Sequence, residues 1–544
     1  MRRGAMMHWQ TEALRTIDNA WRRGRRAALL QLPTGLGKTR VAAHAYRRLL
    51  KRSPGLRLIV SVRSATLKPE TWLSELRLAD NPKVPENVVG RVLSRDGTPT
   101  KDGTILFTTH RRLLNAMTAR AAGKTIVGRW LRRDKVLVII DEVHRSGGIR
   151  KQLADAYWGS PPGRLPAVLR EKPGRKSLRV RWLLLSATPY NPVSLDYSLD
   201  LQEHDTAADR DEHLREVEII ADEVGVTLGL LAKLDRQEGE RDRLKTYVSE
   251  LKAALRHAKP MHRHPPLIVV PHTTDHLRPR RPPPSHIPSI CGDLGAATSQ
   301  LLHLHKGLLK LPHSMETHET TVERLVLGGA RRRGRSLFGH GYGKTTLRAV
   351  YDARLSPFSA ARTAKFVALD GLLRHIFETS PSKVVIFCVH RAVATAVTRH
   401  VRKSMQLKIH DVFDASHADR DRLRRSVDTF QNVQIGLPRI LVTTDRLSES
   451  IDLHNHCRFL IHFELPWSPL RVLQRVGRLW RIRLGDGGVP RAPWVFHVCH
   501  PGSAEEEILA RLYRRWRYVE TLGLDYLSSE MALGTRVPAV PWHA

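Results

Sequence analysis

Two short segments contain the residue types that bind and cleave a chain of phosphates. Residues 31–39 read QLPTGLGKT and residues 141–144 read DEVH, and each segment comes at the end of an apolar run. In the first segment the glycines let the backbone turn tightly and point N–H groups at phosphate oxygens. Lys38 can reach the β- and γ-phosphates, and the Thr39 hydroxyl can bind Mg²⁺. The pattern predicts a nucleoside triphosphate site.

The loop departs from the pattern GxxxxGK[ST] at its first position, where Leu32 stands. Gly35 supplies an inner glycine instead, and Gly37 precedes the lysine. The alternative is a glycine-rich turn of no chemical role. The apolar strand ALLQL before the loop and the helix-like segment TRVAAHAYRRLL after it favour the phosphate site, because a helix N-terminus attracts anions.

The acidic pair predicts the catalytic half of the same site. Asp141 is placed to hold Mg²⁺ through water, and Glu142 is placed to orient or deprotonate the attacking water. A lone acidic pair after a strand is usually a helix N-cap. The phosphate loop about a hundred residues upstream favours the catalytic interpretation here. Farther on, Ser186 and Thr188 of the segment SATP can bond to the DEVH carboxylates and to nearby backbone, and could pass the nucleotide state to the rest of the domain.

A basic segment near the C-terminal end predicts a second contribution to this chemistry. Gln474, Gly477, Arg478 and Arg481 fit QxxGRxxR. On a helix, Arg478 and Arg481 would share a face, and two guanidinium groups on one face could stabilise the charge of a γ-phosphate. The alternative is a solvated basic helix in a very basic protein.

Composition limits the partners and the location. The chain has 544 residues, a net charge of +37 and a pI near 10.9, which favours a polyanion partner because Lys and Arg neutralise phosphates. Proteins from GC-rich genomes also accumulate arginine without any binding role. We therefore give the charge about half the weight as an indication of such a partner. Four scattered cysteines without a CxxC pair, and no apolar run of about 18 residues, predict a cytoplasmic protein without a membrane span.

The positions of apolar runs predict an α/β fold. Residues 1–200 contain five apolar runs, RAALLQL, LRLIVSV, GTILFTT, KVLVIID and RVRWLLLS. Residues 356–500 contain five more, VVIFCVH, KIHDVFD, RILVTTD, RFLIHFEL and PWVFHVC. Helical stretches separate the runs, which is typical of parallel sheets covered on both faces. Residues 201–355 begin helix-like, pass a Pro/His-rich stretch and end basic, which indicates a largely helical insert and linker. Residues 501–544 predict a helical tail.

The ordered motifs LPTGLGKT, DEVH, SATP, TTDRLSESIDL and QRVGRLWR resemble those of the superfamily 2 helicases and translocases. The segment HWQTEAL (8–14) resembles the adenine-reading segment that precedes these motifs in the family. Together the matches span about residues 8–485, most of the chain. The segment IHFELPWSPLRVLQRVGRLWRI most resembles the Snf-type branch, which includes the bacterial RNA-polymerase-associated ATPases. The resemblance implies two RecA-like domains in tandem that close on ATP and Mg²⁺ and step along nucleic acid.

The resemblance also assigns roles to individual residues. Those implied in catalysis are Lys38, Asp141, Glu142, Arg478 and Arg481, with Thr39 and Asp141 on Mg²⁺. Those implied in nucleotide binding are Gln10 as the reader of adenine, Thr34, Gly35, Leu36, Gly37, Lys38, Thr39 and Asp452. Those implied in coupling are Ser186, Thr188, Glu449 and Gln474. Ser450 departs from the family by replacing the usual glycine of TTDRLSESIDL, and Leu479 and Trp480 are bulky for their positions.

These observations predict an ATP-dependent DNA translocase or helicase, acting alone or as the motor of a repair or phage-defence system with protein partners. Two alternatives remain open, an RNA helicase and a non-catalytic nucleic-acid-binding subunit. Three other patterns are weaker: the loop GHGYGKTT at 339–346 lacks a preceding strand, the histidines near 262–276 lack a zinc-site spacing, and ELK at 250–252 lies in a charged helix-like stretch rather than a nuclease motif.

Overall fold

The structure is a computed structural model with two parallel sheets, each covered by helices. It describes residues 6–32, 36–62, 69–78, 104–118, 125–145, 150, 152–153, 180–187, 206–235, 240–257, 259, 268–269, 364–379, 383–389, 391–405, 412–416, 420–432, 439–445, 453, 457–466, 468–479, 493–498 and 504–522.

The first sheet has the strand order β3-β2-β4-β5-β1-β6, with all pairs parallel. Its strands are β1 (Ala27–Gln31), β2 (Arg57–Val62), β3 (Ile105–Thr109), β4 (Val136–Ile140), β5 (Val180–Ser186) and β6 (Ile268–Val269). The central strands β1 and β4 are buried at every position, because helices cover both faces and leave no polar side of the sheet. The five apolar runs predicted in residues 1–200 are confirmed as β1 to β5.

The helices of this half alternate with the strands, as right-handed crossover connections between parallel strands require. They are α1 (His8–Arg22), α2 (Lys38–Arg52), α3 (Pro69–Leu78), α4 (His110–Thr118) and α5 (Ile126–Arg133), and a short 3₁₀ helix (Val143–Arg145) follows β4. Helix α1 packs on α2 and on β1, so the segment before the phosphate loop lies beside it.

Two long helices follow the first sheet, α6 (Thr206–Asp235) and α7 (Glu240–Arg256). They confirm the helical character predicted for this part of residues 201–355. Helix α6 packs on α7 and on β1, and the two-residue strand β6, from the Pro/His-rich stretch of the predicted insert, joins the edge of the sheet. Within the described residues, the first sheet thus extends past position 200, and the domain limits stay a prediction.

The second sheet has the order β11-β10-β7-β9-β8, again all parallel. Its strands are β7 (Lys383–Cys388), β8 (Val412–Ala415), β9 (Arg439–Thr444), β10 (Cys457–His462) and β11 (Trp494–His497). All five were predicted from apolar runs. The helices of this half are α8 (Ala364–Thr379), α9 (Arg391–Ser404), α10 (Arg420–Asn432), α11 (Pro469–Leu479) and α12 (Ala504–Thr521).

The fold class predicted from the sequence is therefore confirmed: two RecA-like α/β domains in tandem, with additional helices. No helix among the described residues is long and apolar enough to cross a membrane. The segment GHGYGKTT and the histidines near 262–276 lie outside the described residues. Lys252 of the ELK segment lies on α7 and pairs with Glu218 of α6, which agrees with a structural role for that helix.

Candidate functional site

The phosphate loop connects β1 to α2, and its last glycine lies in a conformation that other residues rarely adopt. Gly37 has φ +88° and is the N-cap of α2, which begins at Lys38. A Cβ at this position would collide with Nε2 of Gln10. The close approach of α1 to the loop thus requires glycine both for its backbone angle and for its lack of a side chain.

Lys38 is held at the inner side of the loop. Its Nζ donates a hydrogen bond to the Leu32 carbonyl at 3.0 Å and lies 3.9 Å from Oε1 of Glu142. The residue is 8% exposed. Lys38 thus places a buried ammonium group in the first turn of a helix, beside a backbone that turns through Gly37. These features suit the binding of a phosphate chain. Thr39 follows as the second residue of α2 and is half-buried.

Gln10 joins the phosphate loop to the N-cap of α1 through the two ends of its side-chain amide. Its Nε2 donates to the Leu36 carbonyl at 2.9 Å, and its Oε1 accepts from the Met7 N–H at 3.0 Å. Trp9 Nε1 approaches the same carbonyl at 3.4 Å. These contacts join α1 to the phosphate loop and place Gln10 next to it. The adenine-reading role stays a prediction.

The acidic pair lies at the carboxyl end of β4, in the centre of the sheet. The Asp141 N–H donates to the Ser61 carbonyl of β2 at 2.9 Å. Glu142 has φ +51°, a left-handed conformation that is uncommon for a residue with a side chain. Backbone strain of this kind persists only where the surrounding structure imposes it, and it is frequent at sites of catalysis.

Burial, and after it the neighbouring Glu142 charge, raise the pKa of Asp141 to about 7 against the opposing effect of Lys38. Two carboxyl groups held together in a poorly solvated place favour a cation between or beside them. Hard oxygen donors are also the ligands that Mg²⁺ prefers. The donor set therefore fits the predicted Mg²⁺ with its triphosphate. Among the described residues, no cluster of three or more His, Cys, Asp or Glu side chains forms a protein-only metal site.

A buried histidine links the acidic pair to the segment SATP. His144 Nδ1 lies 3.4 Å from Oε2 of Glu142 and 2.7 Å from Oγ of Ser186. Ser186 is the last residue of β5, its register partner is Gln31 of β1, and its carbonyl accepts from the Leu32 N–H at 3.1 Å. Lys38, Glu142, His144 and Ser186 thus form one continuous polar cluster, which we call the motor cluster. The sequence reasoning gave no role to His144, although its place in DEVH was visible.

The described part of the segment QxxGRxxR, residues 474–479, lies on α11, beside the carboxyl ends of the second sheet. Gln474 and Arg478 are both buried, and the Arg478 carbonyl accepts a hydrogen bond from the Leu453 N–H at 2.9 Å. The predicted helix is confirmed from Gln474 to Leu479, where α11 ends. The shared helical face predicted for Arg478 and Arg481 is untested, since Arg481 lies beyond this end.

Arg475, which directly follows Gln474, anchors α11 to the sheet. Its Nε donates to Oδ1 of Asp445 at 2.6 Å, and its Nη1 donates to the Glu464 carbonyl at 3.0 Å and contacts Nδ1 of His462 at 2.9 Å. Arg475 is fully buried. Sequence reasoning missed both members of the Arg475–Asp445 pair, because neither type of residue signals burial by itself.

Some predicted site residues have no structural account, because they lie outside the described residues: Thr34, Gly35, Thr188, Glu449, Asp452 and Arg481. The remaining ones fall into two groups. Gln10, Leu36, Gly37, Lys38, Thr39, Asp141, Glu142 and Ser186 lie together at the first sheet, and Gln474 and Arg478 lie at the second.

Comparison with known families agrees with this division. Residues 3–190 match the family described as type III restriction enzyme, res subunit, and residues 364–483 match the helicase conserved C-terminal domain. Together the two matches cover more than half of the chain. The chain belongs to the superfamily 2 helicases. This family agrees with the predicted enzyme class, a nucleic-acid-dependent ATPase.

Two named helicases are similar over short stretches. An uncharacterized ATP-dependent helicase YqhH from Bacillus subtilis is 30% identical over 92 residues, which are 17% of this chain and 15% of that protein. The ATP-dependent DNA helicase MPH1 from Pyricularia oryzae is 26% identical over 123 residues, 21% of this chain and 11% of that protein. The chain thus matches only a small part of the length of either relative.

A solved structure of the DUF1998 helicase MrfA, bound to DNA and AMPPNP, has a TM-score of 0.48 and 10% sequence identity to this helicase, covering 94% of this chain and 50% of that one.

Proposed function

We propose that this helicase is an ATP-dependent DNA translocase, in which ATP hydrolysis at the motor cluster drives movement along DNA, chiefly double-stranded DNA. The observation that supports this most is the motor cluster itself. Lys38, Glu142, His144 and Ser186 come from three separate segments and meet within hydrogen-bond or ion-pair distance at the carboxyl ends of adjacent strands. A binding module would have no need of a lysine, a strained glutamate and a buried histidine in contact.

The roles follow from the positions of the side chains. Lys38 and Thr39 would hold the phosphates and the Mg²⁺ of bound ATP together with Asp141, and the metal would neutralise phosphate charge. Glu142 is the base that accepts a proton from the attacking water, and the Lys38 ammonium lies 3.9 Å from its carboxylate. Arg478, with Arg481, would supply positive charge from the second domain.

DNA as the partner is supported by the charge of the chain. With a net charge of +37, the protein attracts the phosphate backbone whatever the base sequence. The relative MPH1 is named a DNA helicase. The segment IHFELPWSPL favours the Snf-type branch, and the proposal includes a role as motor of a repair or phage-defence system in the bacterial cytoplasm, with further protein subunits.

The decisive experiment compares ATP turnover with and without duplex DNA at low salt, in the wild type, Lys38→Ala and Glu142→Gln. We expect DNA to raise the turnover of the wild type and both variants to lose it by about 100-fold or more, the usual effect of removing a positioned catalytic group. Lys51→Ala, an exposed lysine at the other end of α2, is the matched control and should retain turnover.

Other outcomes would assign a different function. Stronger stimulation by RNA than by DNA, together with duplex unwinding, would identify an RNA helicase. DNA binding that is unchanged in Lys38→Ala, with no phosphate release by the wild type, would identify a non-catalytic subunit. Either result would refute the translocase.

A further inference from the structure

Helix α6 is tied to the first half of the protein at two places, the start of β1 and the segment that follows the acidic pair. Near its C-terminal end, the buried Asp235 accepts hydrogen bonds from the N–H groups of Arg26 and Ala27 and pairs with Arg25 at 2.9 Å. These residues lead into β1, whose other end continues into the phosphate loop. Because three donors bind one buried carboxylate, this end of α6 is held at a fixed place beside the start of β1.

The middle of α6 is tied to the chain just after the acidic pair. Arg150 is buried, donates to the Thr227 hydroxyl at 2.9 Å and forms an ion pair with Glu223. The 3₁₀ helix that contains His144 also packs against α6. A change at the DEVH segment therefore reaches α6 through direct contacts.

The N-terminal half of α6 is tied to the other half of the protein through α12. Arg515 pairs with Glu216 through Nε at 2.7 Å and through Nη2, and the Tyr518 hydroxyl donates to the other oxygen of Glu216 at 2.9 Å. Arg515 is 2% exposed and Glu216 is 4% exposed. Two positions farther along α12 from Arg515, Arg517 donates to Nδ1 of His213 on α6 at 2.6 Å.

Helix α12 in turn packs against α11, the helix that presents Arg478. A buried ion pair contributes little net stability over an apolar contact of the same shape, but it fixes the relative position of the two groups that form it. Glu216 and Arg515 are almost three hundred positions apart in the chain, and their pairing gives α12 one defined location on α6.

We propose that Glu216 and Arg515 are positioning residues for ATP turnover: their buried pair fixes α12 on α6 and so holds α11 and Arg478 in a defined place relative to the motor cluster. The path runs from the motor cluster through Arg150 and α6 to α12 and α11. This inference rests on the proposed ATPase function. Neither residue belongs to a nucleotide-binding motif, so their removal should alter turnover and leave nucleotide affinity in place.

The test uses the full chain and compares Glu216→Gln with Glu218→Gln. Glu218 is two positions away on α6 and pairs with Lys252 and Arg256 of α7, so its variant breaks an ion pair of the same helix without touching α12. For Glu216→Gln we expect DNA-stimulated kcat to fall about tenfold, within the range usual for coupled sites, and the Kd for a fluorescent ATP analogue to change less than about twofold. Glu218→Gln should match the wild type in both.

The outcomes separate this inference from the proposed function. A wild type without DNA-stimulated turnover refutes the proposed function. A stimulated wild type with equal kcat in Glu216→Gln and Glu218→Gln overturns the positioning role, and so does a loss confined to nucleotide affinity. Arg515→Lys keeps the charge and should recover part of the kcat that Arg515→Met loses.

If Glu216→Gln does not fold, Tyr518→Phe provides the measurement. It removes the hydroxyl that donates to Glu216 and that also contacts Nδ1 of His213 on α6 at 2.7 Å, and it keeps the ion pair. A fall in kcat of about twofold to threefold at unchanged nucleotide affinity supports the role, and an unchanged kcat overturns it.

Discussion

Gly37→Ala is the substitution for which the structure predicts the most specific consequence. Gly37 has φ +88°, and a Cβ there would collide with Nε2 of Gln10. The colliding group is the atom that donates to the Leu36 carbonyl at 2.9 Å. An alanine must therefore adopt a left-handed backbone and also displace the side chain that joins α1 to the phosphate loop.

The two effects can be estimated separately. A left-handed backbone costs an alanine about 1–2 kcal/mol. Displacing Gln10 removes its hydrogen bond and leaves buried polar groups without it, which costs about 1–3 kcal/mol. We expect Gly37→Ala to lower the free energy of unfolding of the first domain by about 2–5 kcal/mol, the sum of these two ranges.

Urea unfolding followed by tryptophan fluorescence measures this loss, because five buried tryptophans report on the first domain: Trp9, Trp21, Trp72, Trp130 and Trp182. The matched control is Gly55→Ala. Gly55 has φ +83°, but a Cβ there meets no atom within 4 Å, so only the backbone cost of about 1–2 kcal/mol applies. The double variant Gln10→Ala/Gly37→Ala isolates the collision, since alanine at position 10 removes the obstructing amide.

Equal losses in Gly37→Ala and Gly55→Ala would refute the reasoning, because the backbone angle alone would then account for both. The reasoning would fail equally if Gly37→Ala cost as much in the Gln10→Ala background as in the wild type. Such a result would mean that the loop accommodates a Cβ at position 37 beside Gln10, for which the structure leaves no room.

Three further predictions concern other contacts. Arg475→Met takes a buried guanidinium away from Asp445 and should lower the free energy of unfolding of the second domain by about 3–5 kcal/mol, again by urea titration; a loss below about 1 kcal/mol would contradict the anchoring role. Hydrogen bonds from Arg52 hold the pKa of Asp18 below its ordinary value of 3.8. The stability that Asp18 provides is therefore present above about pH 4 and is lost as the pH falls through the lower folded pKa. Asp18→Asn should lower the free energy of unfolding at pH 7 by about 1 kcal/mol, and this difference from the wild type should shrink toward pH 3. A difference that stays constant with pH would contradict the pairing. Ser186→Ala removes the hydroxyl that contacts the buried histidine of DEVH and should lower ATP turnover at saturating ATP with little change in nucleotide affinity; an unchanged turnover would exclude coupling through this hydroxyl.

The positions of the strands could be read from the sequence because of the way parallel sheets are buried. A strand covered on both faces must be largely apolar, so the runs AALL of β1, VLVII of β4 and ILV of β9 stand out in the sequence. Polar residues directly after such runs lie at the carboxyl edge of the sheet, where ligands bind in open α/β folds. Lys38, Asp141 and Glu142 were found in this way without any knowledge of which strands are neighbours.

The contacts between these segments depended on the tertiary structure. The strand order β3-β2-β4-β5-β1-β6 places Ser186 beside the phosphate loop, and only this pairing brings His144 between Glu142 and Ser186. An apolar run records that a strand is buried, but it carries no information about which strand lies next to it. The sequence therefore indicated Lys38, Glu142 and Ser186, and the sheet determined their contacts and added His144.

The same reason explains what sequence reasoning did not find in the second half. Arg475 stands among many arginines, and nothing in its type or spacing distinguishes the one that is buried against Asp445. In the sequence, Glu216 and Arg515 look like ordinary charged positions of two helices. They are almost three hundred positions apart, and only the folded chain brings them into contact. The partner of a charged side chain is a property of three-dimensional proximity. The sequence by itself determined the two sheets and the phosphate chemistry, and only the folded chain decided which charges join the two halves.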